Sequence, residues 1–211
     1  MGYPISKLIK IFLRIVFGII ILFLLFYCVL WIWSNNFVPK ELKIMYTQNI
    51  ESYLNDEQYN IILFSKNGNK NHRFKWYPFM FDFIFSSISL KNHNYIASMT
   101  ASTIAGEYFS NNIRKFSNGK WHVMNYGLMR YIVFKNDYRK CIDIIYKNNY
   151  MGENIFGIKS ASEYFFEKNI KDISNEELIS LIVLSCNPET YKVNNEENKS
   201  RTLKIINEYG L

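Results

Sequence analysis

Few side chains in this 211-residue chain have types and spacing suited to chemistry. Glu107 is a lone carboxylate just after Ser102 and Thr103 in the run M-T-A-S-T-I-A-G-E-Y-F-S-N (Met99–Asn111). A carboxylate can take a proton from an attacking hydroxyl, and two hydroxyls can donate to phosphate oxygens. Glu107 also fits a solvated helix face, and Ser or Thr at a helix start also fits a cap. Arg114, Lys115 and Lys120 form a basic cluster suited to a phosphate-bearing ligand or to a solvated helix end. His72, His93 and His122 have no ligand spacing. Cys28, Cys141 and Cys186 have neither metal nor redox spacing, and Cys141 and Cys186 read as buried apolar thiols. No metal or other cofactor is expected. The windows 58–81 and 108–136 contain no Asp or Glu at all.

The elements that must position these residues begin with an apolar helix. No charged residue occurs from Ile15 to Pro39, and Ile15–Trp33 is nearly all apolar. As a helix this run reaches about 28 Å, close to the roughly 30 Å of bilayer hydrocarbon. Tyr27, Trp31 and Trp33 cluster at its far end as interfacial aromatics do. Lys7, Lys10 and Arg14 precede it, so the positive-inside rule keeps the N-terminus cytoplasmic and puts the rest outside the inner membrane. Large Trp residues where a signal peptidase needs small ones favour an uncleaved single-pass anchor over a signal peptide. Residues 1–36 are therefore expected to be cytoplasmic N-terminus and anchor, and 37–211 an extracytoplasmic domain.

Composition supports that division. With 49% hydrophobic and 18% aromatic residues the chain is not disordered. Three of its seven net positive charges merely orient the anchor. The mild excess left on the outer domain excludes nucleic acid and favours an anionic or phosphorylated lipid.

The outer domain reads as mainly α. A helix is expected over Lys40–Asn55, and Tyr59–Ser65 leans towards a strand before the turn at Lys66–Asn69. The apolar stretch Phe79–Leu90 suits a buried or membrane-apposed helix. Helices are expected near 100–114, 119–135 and 138–149, and Gly157–Lys168 sets the small residues Ser160, Ala161 and Ser162 beside Tyr164, Phe165 and Phe166. Ser174 and Glu177 form a capping box for a helix that Pro188 ends. A last helix runs from Glu196 to Tyr209 with Leu203, Ile206 and Tyr209 on one stripe and Gly210 closing it.

Three segments together carry a resemblance. Y-M-G-E-N-I-F-G-I-K-S-A-S-E-Y-F-F-E-K (Tyr150–Lys168) resembles a Y-F-G-x-G-x-Y-G-I-x-x-A-A-x-x-Y-F-G-K pattern. I-S-N-E-E-L-I-S-L-I-V-L-S-C-N-P-E-T-Y (Ile173–Tyr191) resembles L-x-x-x-E-A-A-L-L-A-G-L-x-x-x-P-x-x-Y in the same order. Upstream, Ser102, Thr103, Ile104 and Asn111 match G-G-S-T-I-T-Q-Q-L-x-K-N. These patterns belong to the peptidoglycan glycosyltransferases of glycosyltransferase family 51. One anchor followed by one such domain is similar to the monofunctional biosynthetic transglycosylases, and the resemblance covers about residues 60–211. It implies a mostly helical, lysozyme-like fold and a jaw dipping into the bilayer, a role that Phe79–Leu90 would suit. It implies lipid II as substrate and polymerisation of glycan strands as activity, in the company of other cell-wall synthesis proteins.

The reacting residues depart from the family pattern. The family's general base is the Glu of E-D-x-x-F-x-x-H-x-G. With Phe74 as the matching Phe, that position is Lys70 and the His position is Tyr77. An ammonium is no base unless its pKa is strongly depressed. The second Glu, of R-K-x-x-E, falls at Asn125, and the Arg-Lys pair at Trp121 and His122. The Lys of Q-L-x-K-N is Ser110, and the two Gln positions are Gly106 and Glu107. Both carboxylate positions fall in the acid-free windows. The first reading is therefore a degenerate, non-polymerising relative that binds lipid II, glycan or a partner, with Ser102, Thr103, Arg114, Lys115 and Lys120 as binding residues. The second is an active transglycosylase that uses Glu107 as a displaced carboxylate. The third is a membrane-anchored interaction domain with no glycan chemistry.

Overall fold

The computed structural model describes residues 5–67, 74, 94–110 and 118–211. Among them every regular element is an α-helix: α1 (Ile5–Phe37), α2 (Lys40–Thr47), α3 (Asp56–Asn67), α4 (Tyr95–Ser110), α5 (Asn118–Lys135), α6 (Tyr138–Lys147), α7 (Ile158–Phe166), α8 (Asn175–Leu184) and α9 (Glu196–Tyr209). The mainly α expectation holds. Phe79–Leu90, expected to be helical, lies outside the described residues.

α1 contains one stretch, Ile9–Phe26, long and apolar enough to cross a membrane, and none of that stretch is buried inside the protein. A core helix would hide such a surface, so the exposure fits an anchor.

α4 is the hub of the helical body, packing on α2, α3, α5 and α6. Its sequence explains that role. Ala97, Ala101 and Ala105 recur every fourth residue and are fully buried, which lets neighbouring backbones come close. Ile96, Thr100 and Ile104 fill the space beside them. α8 is the second buried helix: Leu178, Ile179, Leu181, Ile182, Val183 and Leu184 are all buried, with α3, α7 and α9 packed around it.

Several sequence expectations needed correction. Tyr59–Ser65 is not a strand but the middle of α3. Its start is fixed by a reciprocal cap: Gln58 N donates to Asn55 Oδ1 and Asn55 N donates to Gln58 Oε1, each at 2.9 Å. Asp56 and Glu57 then favour the helix dipole, and burial of Tyr59, Ile61, Ile62 and Leu63 outweighs their β propensity. The helix expected over Lys40–Asn55 stops at Thr47, whose hydroxyl donates to the Ile44 carbonyl (3.0 Å). Leu203 is exposed; the inner line of α9 is Asn198, Thr202, Ile205, Ile206 and Tyr209. That line is polar at its start because Asn198 Nδ2 bonds the carbonyls of Ser180 and Tyr191.

Other expectations hold. Ser174 Oγ accepts from Glu177 N (3.2 Å) while Glu177 Oε2 accepts from Ser174 N (2.7 Å). α8 ends at Leu184, ahead of Pro188. Gly210 takes a left-handed φ of 81° after α9. Cys141 is buried, and that burial pushes its thiol up to about 12. Cys186 is exposed, contrary to expectation: it lies just past the end of α8, where its sulfur accepts from Lys66 Nζ at 3.3 Å.

Candidate functional site

The packing of α4 on α5 sets Ser102 against Asn125. Asn125 Nδ2 donates to Ser102 Oγ at 3.0 Å, and both side chains are half-buried. Asn125 Oδ1 is buried with no hydrogen-bond partner among the described residues. An orphaned buried acceptor is costly, and it can be satisfied by an N–H or O–H from a ligand.

The other candidates do not converge on this pair. Thr103 donates its hydroxyl to the Met99 carbonyl (3.0 Å), along its own helix. Glu107 is exposed, and among the described residues its carboxylate forms no ion pair. It lies five residues beyond Ser102, about 140° around the helix, so the two side chains leave α4 on different faces. Lys70, Arg114 and Lys115 lie outside the described residues. For Lys120 only its place in the first turn of α5 is described. Trp121 and His122 are packed as an aromatic group: Trp121 lies 6.4 Å from Phe109 and 5.1 Å from His122, ring centre to ring centre.

Sequence reasoning missed two buried charged side chains. Arg130 on α5 is only 7% exposed, and its signal was a cation inside the apolar run Leu128–Ile132. Asp143 on α6 is 4% exposed within C-I-D-I-I. Tyr59 Oη donates to Asp143 Oδ1 at 2.6 Å and in turn accepts from Ser52 Oγ at 2.8 Å. Burial raises the Asp143 carboxyl to about 6, although the Tyr59 hydrogen bond opposes the shift.

The segment leading into α7 is a tight bulge. Tyr150 and Phe156 pair as an antiparallel bridge, Met151 N donates to Ile155 O (2.9 Å), and Gly157 N donates to Asn149 O (2.9 Å). Gly157 sits at φ 84°, and a Cβ there would lie 2.4 Å from the Lys147 carbonyl oxygen. Asn154 and Glu167 stand where the resembled pattern has glycine, and both take left-handed φ, 62° and 54°. Both residues thus hold the left-handed backbone that glycine adopts without strain. A cleft of about 180 Å³ lies between this bulge and the Pro188 turn, lined by Met151, Phe165, Leu184, Pro188 and Lys192. It contains neither Ser102 nor Asn125.

An apolar, membrane-length helix, a mainly α body and these motifs in order define a transglycosylase-type protein with a candidate membrane anchor. Comparison with known proteins agrees. A family model described as Transglycosylase matches residues 97–209, more than half of the chain. The chain belongs to the transglycosylase family. A biosynthetic peptidoglycan transglycosylase of Haemophilus influenzae (strain PittEE) is 44% identical over 43 residues, 20% of this chain and 18% of that protein. One from Pasteurella multocida (strain Pm70) is 39% identical over 62 residues, 28% of this chain and 25% of that protein. Penicillin-binding protein 1F of Bacillus subtilis (strain 168) is 29% identical over 86 residues, 37% of this chain and 12% of that protein. The matches thus span a quarter or less of these relatives' length. The family match starts at Ala97, beyond Lys70, and includes Ser102, Glu107 and Asn125.

Proposed function

We propose that this protein is a membrane-anchored, peptidoglycan glycosyltransferase-like protein that binds lipid II or glycan without polymerising it. Residues 1–36 would be the cytoplasmic end and anchor, and 37–211 the extracytoplasmic domain. The carrying observation is the Asn125 amide, held by Ser102 at the position where the resembled pattern has its second carboxylate. An amide has no basic lone pair at neutral pH and no acidic proton, so it can neither accept a proton in the step nor assist a leaving group. It can still hydrogen-bond a sugar hydroxyl or acetamido group. Loss of a single general acid or base costs about 10²–10⁴ in rate. The Lys70 position compounds that loss, because a protonated amine cannot serve as a base.

The test pairs binding with turnover. The full chain in detergent is given fluorescent lipid II, with polymer followed on gels and binding by anisotropy. The expected result is saturable binding, no polymer, and weaker binding for Asn125→Leu. Polymer from the wild-type chain that disappears in Glu107→Gln would establish the displaced-carboxylate reading instead. Absence of both binding and polymer would leave an interaction domain without glycan chemistry.

A further inference from the structure

We propose that the junction between α1 and the helical body is a cationic collar that binds anionic lipid headgroups of the leaflet from which α1 emerges. The inference rests on α1 crossing the bilayer. It does not depend on whether the Ser102–Asn125 site binds glycan.

The collar is assembled from three segments. The ammonium groups of Lys43 on α2 and Lys135 at the end of α5 both lie over the Tyr131 ring, 5.7 and 5.5 Å from its centre. Lys140 on α6 lies 5.5 Å over the Tyr46 ring. The two rings meet edge to face at 6.0 Å, so three cations gather round one aromatic pair. Like charges repel, and this arrangement concentrates positive potential where an anion would relieve it. Asp137, the capping carboxylate of α6 whose charge is felt at Tyr46, offsets only part of it. Asp137 Oδ1 accepts from the Lys140 backbone N–H as the cap of α6, and Arg139 is paired with Asp56 (3.0 Å). Glu41 is exposed on α2. Among the described residues neither Lys135 nor Lys140 forms an ion pair.

Position and apolar exposure select a membrane as the occupant. α1 ends at Phe37, α2 begins at Lys40, and Val38 between them is buried, so the junction has little slack. If Trp33 marks the hydrocarbon edge, Phe37 lies about 6 Å beyond it, inside the headgroup layer. Phe134, next to Lys135, is 77% exposed, and Ile44, next to Lys43, is 56% exposed. Exposed apolar side chains beside cations suit an anionic interface, where the rings and methyl groups enter and the ammonium groups pair with phosphate.

Amine footprinting tests the proposal on the full chain in nanodiscs of phosphatidylcholine with or without phosphatidylglycerol. Acylation of each lysine is read by mass spectrometry. Near an anionic surface each contacting lysine should be protected about fivefold. Lys43, Lys135 and Lys140 should show that protection only in phosphatidylglycerol discs, and about 0.5 M salt should remove most of it through screening. Lys159, Lys171 and Lys204, exposed on or beside other helices, should label equally in both discs. Phe134→Ser should reduce protection at Lys135 while leaving the α-helical circular dichroism unchanged. Equal labelling of the three collar lysines in both discs would overturn the proposal. So would protection that persists without anionic lipid, since that marks a protein contact, or protection reproduced by free inorganic phosphate with phosphatidylcholine alone, since that marks a site for the ion.

Discussion

The buried Asp143 should impose a pH dependence on stability that one substitution removes. Its carboxyl is raised from 3.8 to about 6 by burial, with Tyr59 donating to it. At about 1.4 kcal/mol per pKa unit, ionised Asp143 is about 3 kcal/mol less favourable in the folded chain than in the unfolded one. The folded state holds the proton more tightly. The stability contributed by the protonated group is therefore complete below about pH 4, falls as pH rises through about 6, and is absent by about pH 8. Asp143→Asn keeps an acceptor for Tyr59 Oη and cannot ionise. Thermal melts of the full chain in detergent, followed by circular dichroism between pH 4 and pH 8, measure the effect. The quantity that matters is the difference between variant and wild type at each pH, because a constant offset from the new amide cancels. That difference should move in the variant's favour by about 3 kcal/mol across the range. For a chain of this size that corresponds to about 6–12 °C in Tm. Parallel wild-type and variant curves would refute a buried, proton-binding Asp143.

Three further substitutions probe the backbone. Gly157→Ala should cost more than about 3 kcal/mol, because its Cβ would meet the Lys147 carbonyl oxygen at 2.4 Å on top of the left-handed φ. Gly106→Ala is its control: nothing lies within 4 Å of the added methyl group, so a gain of about 1 kcal/mol is expected from helix propensity. Glu167→Gly should stabilise by about 1 kcal/mol, since Glu167 ends α7 in the left-handed region at φ 54°. Melting temperatures of the three variants report these values, and a stabilised Gly157→Ala would contradict the bulge geometry.

The legible parts of the sequence were those fixed by local chemistry. The Ser174–Glu177 box, the Gly210 stop and the uncharged run of α1 can each be read from a few neighbouring residues, because each works through contacts within a turn or through length alone. α3 was misread because β-branched and aromatic residues were weighed above the Asn55–Gln58 cap. Leu203 was misplaced because the stripe was sought among apolar residues, while the packed line starts at Asn198. The placement of Asn125 came from motif spacing, and its hydrogen bond to Ser102 lies 23 residues away in the chain, beyond any local signal.

What the sequence determined by itself was therefore the helical class, the anchor-length segment, the family motifs in order, and the lack of acids in two windows. All are properties of composition, spacing and short-range capping. Only the tertiary structure decided that Ser102 meets Asn125 while Glu107 faces elsewhere, that Asp143 is buried with Tyr59, and that three lysines gather round Tyr46 and Tyr131. Those facts depend on how helices distant in sequence pack, and burial sets the protonation and partner of each polar group only once that packing exists.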